Sequence, residues 1–373
     1  MRKTLVLTGA ALLGLGLTAC SKDEPKSADA GGPIAVSATD TACDVAKKEA
    51  ASGVVTFAIS NKGGKITEFY VYAAGDRVMA EVENIPPGIT RELKAELPAG
   101  TYETACKPGM IGSGIRAAFT VSGSAAPLTA DAKLADATAN YQRYVQSQTV
   151  PLLAKTEEFV TAVKAGDIAK AKALFPIART YWERIEPVAE IFGDLDPKID
   201  GREDVIAEGM AFTGFHKLEQ DLWVKGDVSK SGAIADQLLV DVKEIVAKAT
   251  AEKLSPLQLA NGAKELLDEV ASGKITGEED RYSHTDLWDF AANLEGSKAS
   301  VAALRPALED RAPDLVAKLD TAFKNAETTL AKHRDGDGWK LHTALTTGEL
   351  KELTDVINAL AEPISKIAAV IAK

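Results

Sequence analysis

The sequence changes character at Ser122-Gly123-Ser124-Ala125-Ala126-Pro127-Leu128. On its N-terminal side, short β-branched and aromatic runs are separated by turn sequences; GVVTFAIS at 53–60, for example, stops at NKGG. Further runs follow at 67–72, 78–82, 90–97 and 115–121. Short strands at regular intervals are typical of a small antiparallel β-sandwich. We therefore predict an all-β sandwich over residues 34–122.

On the C-terminal side, Ala, Leu, Lys and Glu dominate and the apolar residues follow a helical spacing of three to four. Ser255 followed by Pro256 predicts a helix start, because serine is a favoured N-cap and proline suits the first helical position. The tetrapeptide at 283–286 resembles a capping box. We predict seven or eight helices over residues 129–373, packed as one or two up-and-down bundles.

The N-terminus resembles an export signal. Arg2 and Lys3 precede an uncharged apolar run that ends in LTAC at 17–20. Small residues directly before a cysteine resemble the lipobox of bacterial lipoproteins, so residues 1–19 are predicted to be removed and Cys20 to be acylated. The alternative is a signal without lipidation. Residues 20–33 are small and polar and predict a flexible tether. The predicted location is the outer face of the cytoplasmic membrane or the periplasm.

The chain is acidic. Its formal net charge is −11, and removal of residues 1–19 takes away Arg2 and Lys3 and leaves −13. A strongly negative protein repels nucleic acid and concentrates cations around itself. Nucleic-acid binding is therefore excluded, and cations are favoured as ligands.

Two pairs of candidate ligands have helical spacing. Glu183 and Glu186 are three residues apart, and His216 and Glu219 repeat that spacing. Two helices that each present two ligands, with an aspartate from the acidic connection between them, form the kind of site in which bundles bind iron-like cations. One imidazole with several carboxylates suits iron or manganese, or zinc in an oxygen-rich site. The alternative is that each pair is an ordinary solvated pair.

Several longer stretches resemble the imelysin-like domain of EfeO-type iron-uptake lipoproteins. They are YWERIEPVAE at 181–190, DLDP at 194–197, TGFHKLE at 213–219, EEDRYSHTDL at 278–287 and RDGDGW at 334–339. The resemblance covers essentially the whole mature chain. It implies an all-helical domain with an H-x-x-E metal motif at His216 and Glu219. It also implies Glu183, Glu186 and Asp200 as further ligands, with His284 at a helix start. A residue of the 278–280 segment completes the set, and Glu279 is the favoured one.

Some relatives of this domain carry a peptidase label. A zincin helix needs two histidines around the glutamate, and the inverted motif needs histidine directly after it, where this chain has Gln220. We therefore expect no hydrolytic activity. The two alternatives are a metallopeptidase that uses His216 and Glu219 and a polysaccharide-binding surface lipoprotein with a structural metal. An aromatic content of 6% weighs against the second.

The N-terminal region resembles a cupredoxin. In CKPGM at 106–110, Cys106 is a candidate thiolate ligand and Met110 a weak axial one, while Glu68 lies where the resemblance implies an upstream ligand. Cys43 is a further candidate soft ligand. A blue-copper centre needs two histidines, and residues 34–122 contain none. The resemblance implies a second site, for copper or ferric iron.

The alternative is a disulfide between Cys43 and Cys106, which an exported protein would favour. The sequence leaves both possibilities open. Glu81 and Glu83 are expected to face solvent on their strand. Taken together, the family resemblance implies a binding protein that captures iron and passes it to a membrane iron permease, with a haem peroxidase as a further partner.

Overall fold

The computed structural model describes residues 32–193, 195–204, 206 and 210–373. The predicted signal peptide, Cys20 and nearly all of the predicted tether lie outside these residues. Among the helices that are described, none combines the length and apolar character needed to cross a bilayer.

Two sheets form the predicted sandwich. One has the strand order β2-β1-β4-β7 and the other β3-β9-β8-β5-β6. The strands are β1 (Ile34–Ala38), β2 (Cys43–Val45), β3 (Glu49–Ala51), β4 (Gly53–Asn61), β5 (Thr67–Ala73), β6 (Arg77–Ile85), β7 (Thr90–Leu97), β8 (Gly100–Pro108) and β9 (Ile115–Ser122). Between the sheets, the ring of Phe57 lies 5.3 Å from that of Phe69 and 5.5 Å from that of Phe119, centroid to centroid.

The antiparallel prediction was wrong for two strand pairs. β1 runs parallel to β4, and β3 runs parallel to β9. Both strands are short, with five and three residues, and β3 lies at the edge of its sheet. Such short segments have no clear alternation of their own, so their direction is decided by the neighbour they pair with.

The second region is helical, as predicted. Its helices are α1 (Ala132–Lys164), α2 (Ile168–Glu183), α3 (Glu186–Ala189), α4 (Leu195–Ile199), α5 (Gly214–Gln220), α6 (Gly232–Ala251), α7 (Pro256–Ser272), α8 (Asp286–Arg311), α9 (Pro313–Ala331), α10 (Thr347–Ile364) and α11 (Ile367–Ile371). Seven of these described helices have 16 residues or more. The long α1 packs against α2, α6 and α8. A two-stranded hairpin, β10 (Arg334–Asp335) with β11 (Gly338–Trp339), was not predicted.

The two predicted helix starts had different outcomes. Ser255 caps α7 in a capping box with Gln258, and Pro256 is the first helical residue, as predicted. The capping box at 283–286 was wrong, because the N-cap of α8 is Thr285 and its side chain caps nothing. The hydroxyls of Ser283 and Thr285 instead bond to Glu219 and Asp280. These two hydroxyls serve the acidic centre described below.

The sandwich lies directly against the helices. Strand β6 packs on α7 and on the 3-10 turn at Glu190–Phe192. Across this interface, Asn261 Nδ2 donates to the Lys94 carbonyl oxygen at 3.0 Å, and Arg77 forms an ion pair with Glu252. The edge strands β6 and β7, one from each sheet, are therefore covered here by the helical region.

Candidate metal centre

His216 is positioned by an unusually close backbone approach. Helix α5 begins at Gly214, whose φ is +75°. A Cβ at this position would lie 2.1 Å from the carbonyl oxygen of Ile199, so only glycine fits. This contact holds the start of α5 against the end of α4. As a result, His216 lies beside Asp200, the residue that follows α4.

The imidazole of His216 is buried and faces carboxylates through both ring nitrogens. Its Nε2 lies 3.6 Å from Asp200 Oδ1 and 3.4 Å from Glu279 Oε1. Nε2 has no hydrogen-bond partner among the residues the structure describes. The candidate ligand atoms of Asp200, His216 and Glu279 all lie within 4.8 Å of one another. The structure thus brings together three of the predicted ligands.

Glu219 holds the other side of the ring. Its Oε2 lies 3.0 Å from His216 Nδ1. Its Oε1 accepts hydrogen bonds from the Tyr282 and Ser283 amides, at 3.0 and 2.7 Å, and from the Ser283 hydroxyl at 2.8 Å. Burial acts to raise the pKa of Glu219, but the hydrogen bonds from His216 and Ser283 outweigh it and lower the pKa. Both oxygens of this ionised carboxylate are therefore engaged by the protein.

A second grouping uses the Nδ1 side of the same ring. Ligand atoms of His216, Glu219 and Asp280 also lie within 4.8 Å of one another. Burial raises the pKa of Asp280 to about 6. The two groupings share the imidazole and differ in the ring nitrogen that faces their carboxylates.

Two buried aspartates of this centre, Asp286 and Asp289, were not predicted, and for Asp280 the neighbouring Glu279 was preferred. Asp280 precedes α8, and Asp286 and Asp289 lie on its first turn; all three are fully buried. Burial raises the pKa of Asp286 to about 8. The available signal was a polar stripe on α8, since Asp286, Asp289 and Asn293 are spaced by three and four residues. In an amphipathic helix that stripe would be taken for the solvent face.

Arg179 is an internal cation that was also not predicted from the sequence. Its side chain is fully buried and forms ion pairs with Glu183 and Asp200. Nη2 lies 3.3 Å from Glu279 Oε1, and Nε lies 3.3 Å from Asp280 Oδ1. The nearby carboxylates therefore share one guanidinium.

Glu183 and Glu186 form a neighbouring cluster around a lysine. Lys274 Nζ lies 2.9 Å from Glu183 Oε2, 3.1 Å from Glu186 Oε2 and 2.7 Å from Glu269 Oε2. The predicted single helix is also interrupted, because α2 ends at Glu183 and α3 begins at Glu186. The lysine ammonium thus stands where the predicted arrangement would have placed an ion.

The centre as a whole has more carboxylates than cations. Among the residues that the structure describes, eight buried carboxylates surround it: Glu183, Glu186, Asp200, Glu219, Glu279, Asp280, Asp286 and Asp289. The buried cations are Arg179 and Lys274, and Arg202, 24% exposed, reaches Glu279 from the rim. Buried carboxylates without a partner must bind a proton or a cation. Oxygen donors with one imidazole are the donor set that suits iron.

The predicted N-terminal metal site is not formed. Cys43 and Cys106 are joined by a disulfide, so neither sulfur is a thiolate ligand. Cys106 pairs with Phe69 across β5 and β8 and shares its core face, whereas Glu68 pairs with Lys107 on the opposite face. Successive strand residues point to opposite sides of a sheet, so Glu68 and Cys106 cannot bind one ion. Met110 lies beyond β8 in a turn, with a φ of +62°.

Comparisons with known proteins agree with this architecture. The imelysin family model, which also carries a peptidase label, matches residues 137–367, and the cupredoxin-like domain model matches residues 9–121. Proteins named "Iron uptake system component EfeO" from Escherichia coli O157:H7, Escherichia coli K12 and Shigella flexneri are each 39% identical to this chain over 380 residues. These alignments cover 99% of this chain and 98% of each relative. The chain therefore belongs to the EfeO family of iron uptake system components, with a cupredoxin-like sandwich followed by an imelysin-like helical domain.

Proposed function

We propose that this protein captures iron outside the cytoplasm in the buried centre around His216 and passes it to a membrane iron permease. Its relatives are iron uptake system components by name, which supports iron as the cargo. The observation that carries the proposal is His216 Nε2, a buried nitrogen with no hydrogen-bond partner among the described residues, which faces two carboxylates. The excess of negative charge around it favours a cation.

In this proposal, three residues contact the ion and one orients the ring. Asp200, His216 and Glu279 supply the donor atoms, since these converge on one point. Glu219 fixes the imidazole through Nδ1, a role that carboxylates often have behind a metal-binding histidine. Glu183 and Glu186 contribute negative charge nearby while Lys274 holds them.

The same geometry supports a binding role over hydrolysis. A metallopeptidase needs a carboxylate free to take a proton from a metal-bound water. Both oxygens of Glu219 are engaged, by His216 on one side and by the 282–283 backbone and the Ser283 hydroxyl on the other. Accordingly, we propose that the domain does not cleave peptides in spite of its family's peptidase label.

The remaining parts of the proposal concern location and partners. An acylated Cys20 would keep the protein at the membrane surface, where a permease can receive the ion. A haem peroxidase of the same uptake system is the further partner that we propose. The resemblance to an export signal supports the first proposal, and membership of a family of iron uptake system components supports the second.

Iron binding to the metal-stripped protein tests the proposal. Isothermal titration with ferrous iron under anaerobic conditions, and with ferric citrate in air, gives the affinity and stoichiometry. His216→Ala is expected to weaken iron binding on the order of 100-fold or more. His342→Ala is the matched control, because its ring contacts the Ile275 carbonyl and none of the proposed ligands. Wild-type affinity in folded His216→Ala protein would contradict the proposal.

A further inference from the structure

A second group of carboxylates lies at the interface between the two domains. Glu81 on β6, Glu190 in the 3-10 turn after α3 and Glu265 on α7 place carboxylate oxygens within 4.8 Å of one another. The expectation that Glu81 faces solvent was wrong, since it is only 6% exposed. Its burial results from the packing of β6 on α7.

These three carboxylates lack a partner within the part of the chain that the structure describes. None of them takes part in a hydrogen bond or an ion pair there, although Glu81 is more than nine-tenths buried. The nearby Tyr70 hydroxyl donates its only proton to Glu83 Oε1 at 2.7 Å. A buried carboxylate that neither a donor nor a cation satisfies is strongly unfavourable.

The nearby lysines are engaged elsewhere. Lys107 Nζ lies 3.8 Å from Glu68 and 3.7 Å from the centre of the Tyr70 ring. Lys264, on the same helix as Glu265, forms an ion pair with Asp268. Within the described residues, neither lysine therefore forms an ion pair with a carboxylate of the Glu81 group.

An open cleft leads to this group. Its volume is about 400 Å³, counting the part that is open to solvent, and Glu81, Glu83, Glu265 and Glu269 are among its lining residues. Glu269 Oε1 is a further buried oxygen without a hydrogen-bond partner among the described residues. A small cation can thus reach the carboxylates from solvent.

We propose that the interface cleft is a second cation site, in which Glu81, Glu190 and Glu265 bind a hard divalent or trivalent ion. All three donors are carboxylate oxygens, which are the ligands that ferric iron, manganese and calcium prefer. The site has no nitrogen donor and shares no residue with the His216 centre. Because Glu81 belongs to the sandwich and Glu265 to the helical domain, the ion fastens one domain to the other.

A titration with Mn²⁺ measures the number of cation sites. The full chain, stripped of metal, is titrated with Mn²⁺, and the free ion is measured by electron paramagnetic resonance. Wild type is expected to bind two ions, and Glu81→Gln/Glu265→Gln and His216→Ala one ion each. Glu92→Gln, which removes a charge from the cleft wall outside the group, is expected to keep two. In His216→Ala, Mn²⁺ should still raise the unfolding temperature through the interface site. The Glu81→Gln/Glu265→Gln protein should lack this part of the increase.

Three results would overturn the second site. The first is a folded Glu81→Gln/Glu265→Gln protein, checked by circular dichroism, that still binds two ions. The second is a wild type that binds a single ion, lost on His216→Ala. The second result leaves the iron centre intact, so failure of the interface site and failure of the proposed function are distinguishable. The third is loss of both ions in the glutamine pair, which also counts against two independent sites.

Discussion

His216 Nδ1 lies 3.0 Å from Glu219 Oε2, and this contact determines which ring nitrogen is available to an ion. The pKa of Glu219 is lowered, so the carboxylate is ionised and can only accept. The proton of the contact therefore belongs to His216, and Nε2 points towards Asp200 and Glu279. In the H-x-x-E motif, His216 is therefore the proposed ligand, and Glu219 is the residue that orients its ring.

Glu219→Gln should therefore weaken iron binding without abolishing it. Loss of a supporting carboxylate lowers metal affinity typically 10- to 100-fold. Asp200→Ala, which removes a proposed contact atom, should cost more. Titration calorimetry gives both affinities, and the imidazole NMR shift of His216 should report a lower pKa in Glu219→Gln. An effect as large as that of His216→Ala would make Glu219 a direct ligand.

Iron affinity should rise with pH. Burial acts to lower the pKa of His216, but the surrounding carboxylates raise it to about 10 in the metal-free protein. An ion that binds Nε2 must displace that proton, so affinity increases about tenfold per pH unit below 10 for one proton released. Ferrous titrations at pH 6, 7 and 8 in buffers of different ionisation enthalpy measure both the slope and the proton. A pH-independent affinity would contradict ligation by His216.

The metal-free protein should lose stability as pH rises from 5 to 9. Burial raises the pKa of Glu68 and of Asp286 to about 8 and that of Asp280 to about 6. Between pH 4 and 8 the folded state keeps protons that the unfolded state has released, so the free energy of unfolding falls as pH rises. The His216 contribution is fully present below about 6.5 and is lost as pH approaches 10. Urea unfolding at pH 5, 7 and 9 tests this; increasing stability would disprove it.

Removal of the disulfide should destabilise the sandwich and spare the iron centre. Cys43 and Cys106 close a loop with a sequence separation of 63. Loop-closure entropy for that length corresponds to about 4 kcal/mol. Cys43→Ala/Cys106→Ala should lower the unfolding temperature, whereas iron affinity at His216 stays unchanged. Loss of a bound ion in the alanine pair would instead favour the cysteine metal site.

Lys274→Met should leave Glu186 and Glu269 without their cation and Glu183 with Arg179 alone. Lys274 is buried and joins Glu183, Glu186 and Glu269. Removing one partner of a buried charge network costs roughly 3–5 kcal/mol. Added Mn²⁺ should restore part of this stability, because an ion can occupy the place of the ammonium group. Denaturant unfolding with and without Mn²⁺ measures both effects.

Lys351→Met is the matched control for that experiment. Lys351 pairs with Asp355 on the surface of α10, where both side chains are well exposed. Its substitution should barely change stability. Equal losses in the two variants would show that the Lys274 contacts carry no special energy.

The H-x-x-E motif and the helical spacing could be recognised in the sequence because they involve residues that are close together along the chain. His216 and Glu219 are on one helix turn, so their proximity follows from helix geometry alone. Ser255 and Gln258 form a capping box for the same reason. The division at residues 122–128 rests on composition, which changes where the sheet ends at Ser122 and before α1 begins at Ala132.

Residues that meet in the structure but are far apart along the chain could not be identified from the sequence in this way. Whether Glu68 and Cys106 share a face of the sheet depends on the register in which β5 pairs with β8. That register could not be deduced from the sequence. Lys274 lies far along the chain from Glu183, and nothing local marks it as a partner. In the sequence, Glu81 cannot be distinguished from an exposed glutamate on a strand. Its burial results from the packing of α7 on β6.

The sequence by itself determined the order of the two domains, the helix that carries His216 and the acidic character that favours cations. Only the tertiary structure decided which carboxylates meet, which of them Arg179 and Lys274 already neutralise, and that the two cysteines close a disulfide. The physical reason is that periodicity fixes the direction of a side chain within its own element. Burial and charge pairing depend instead on how separate elements pack against one another.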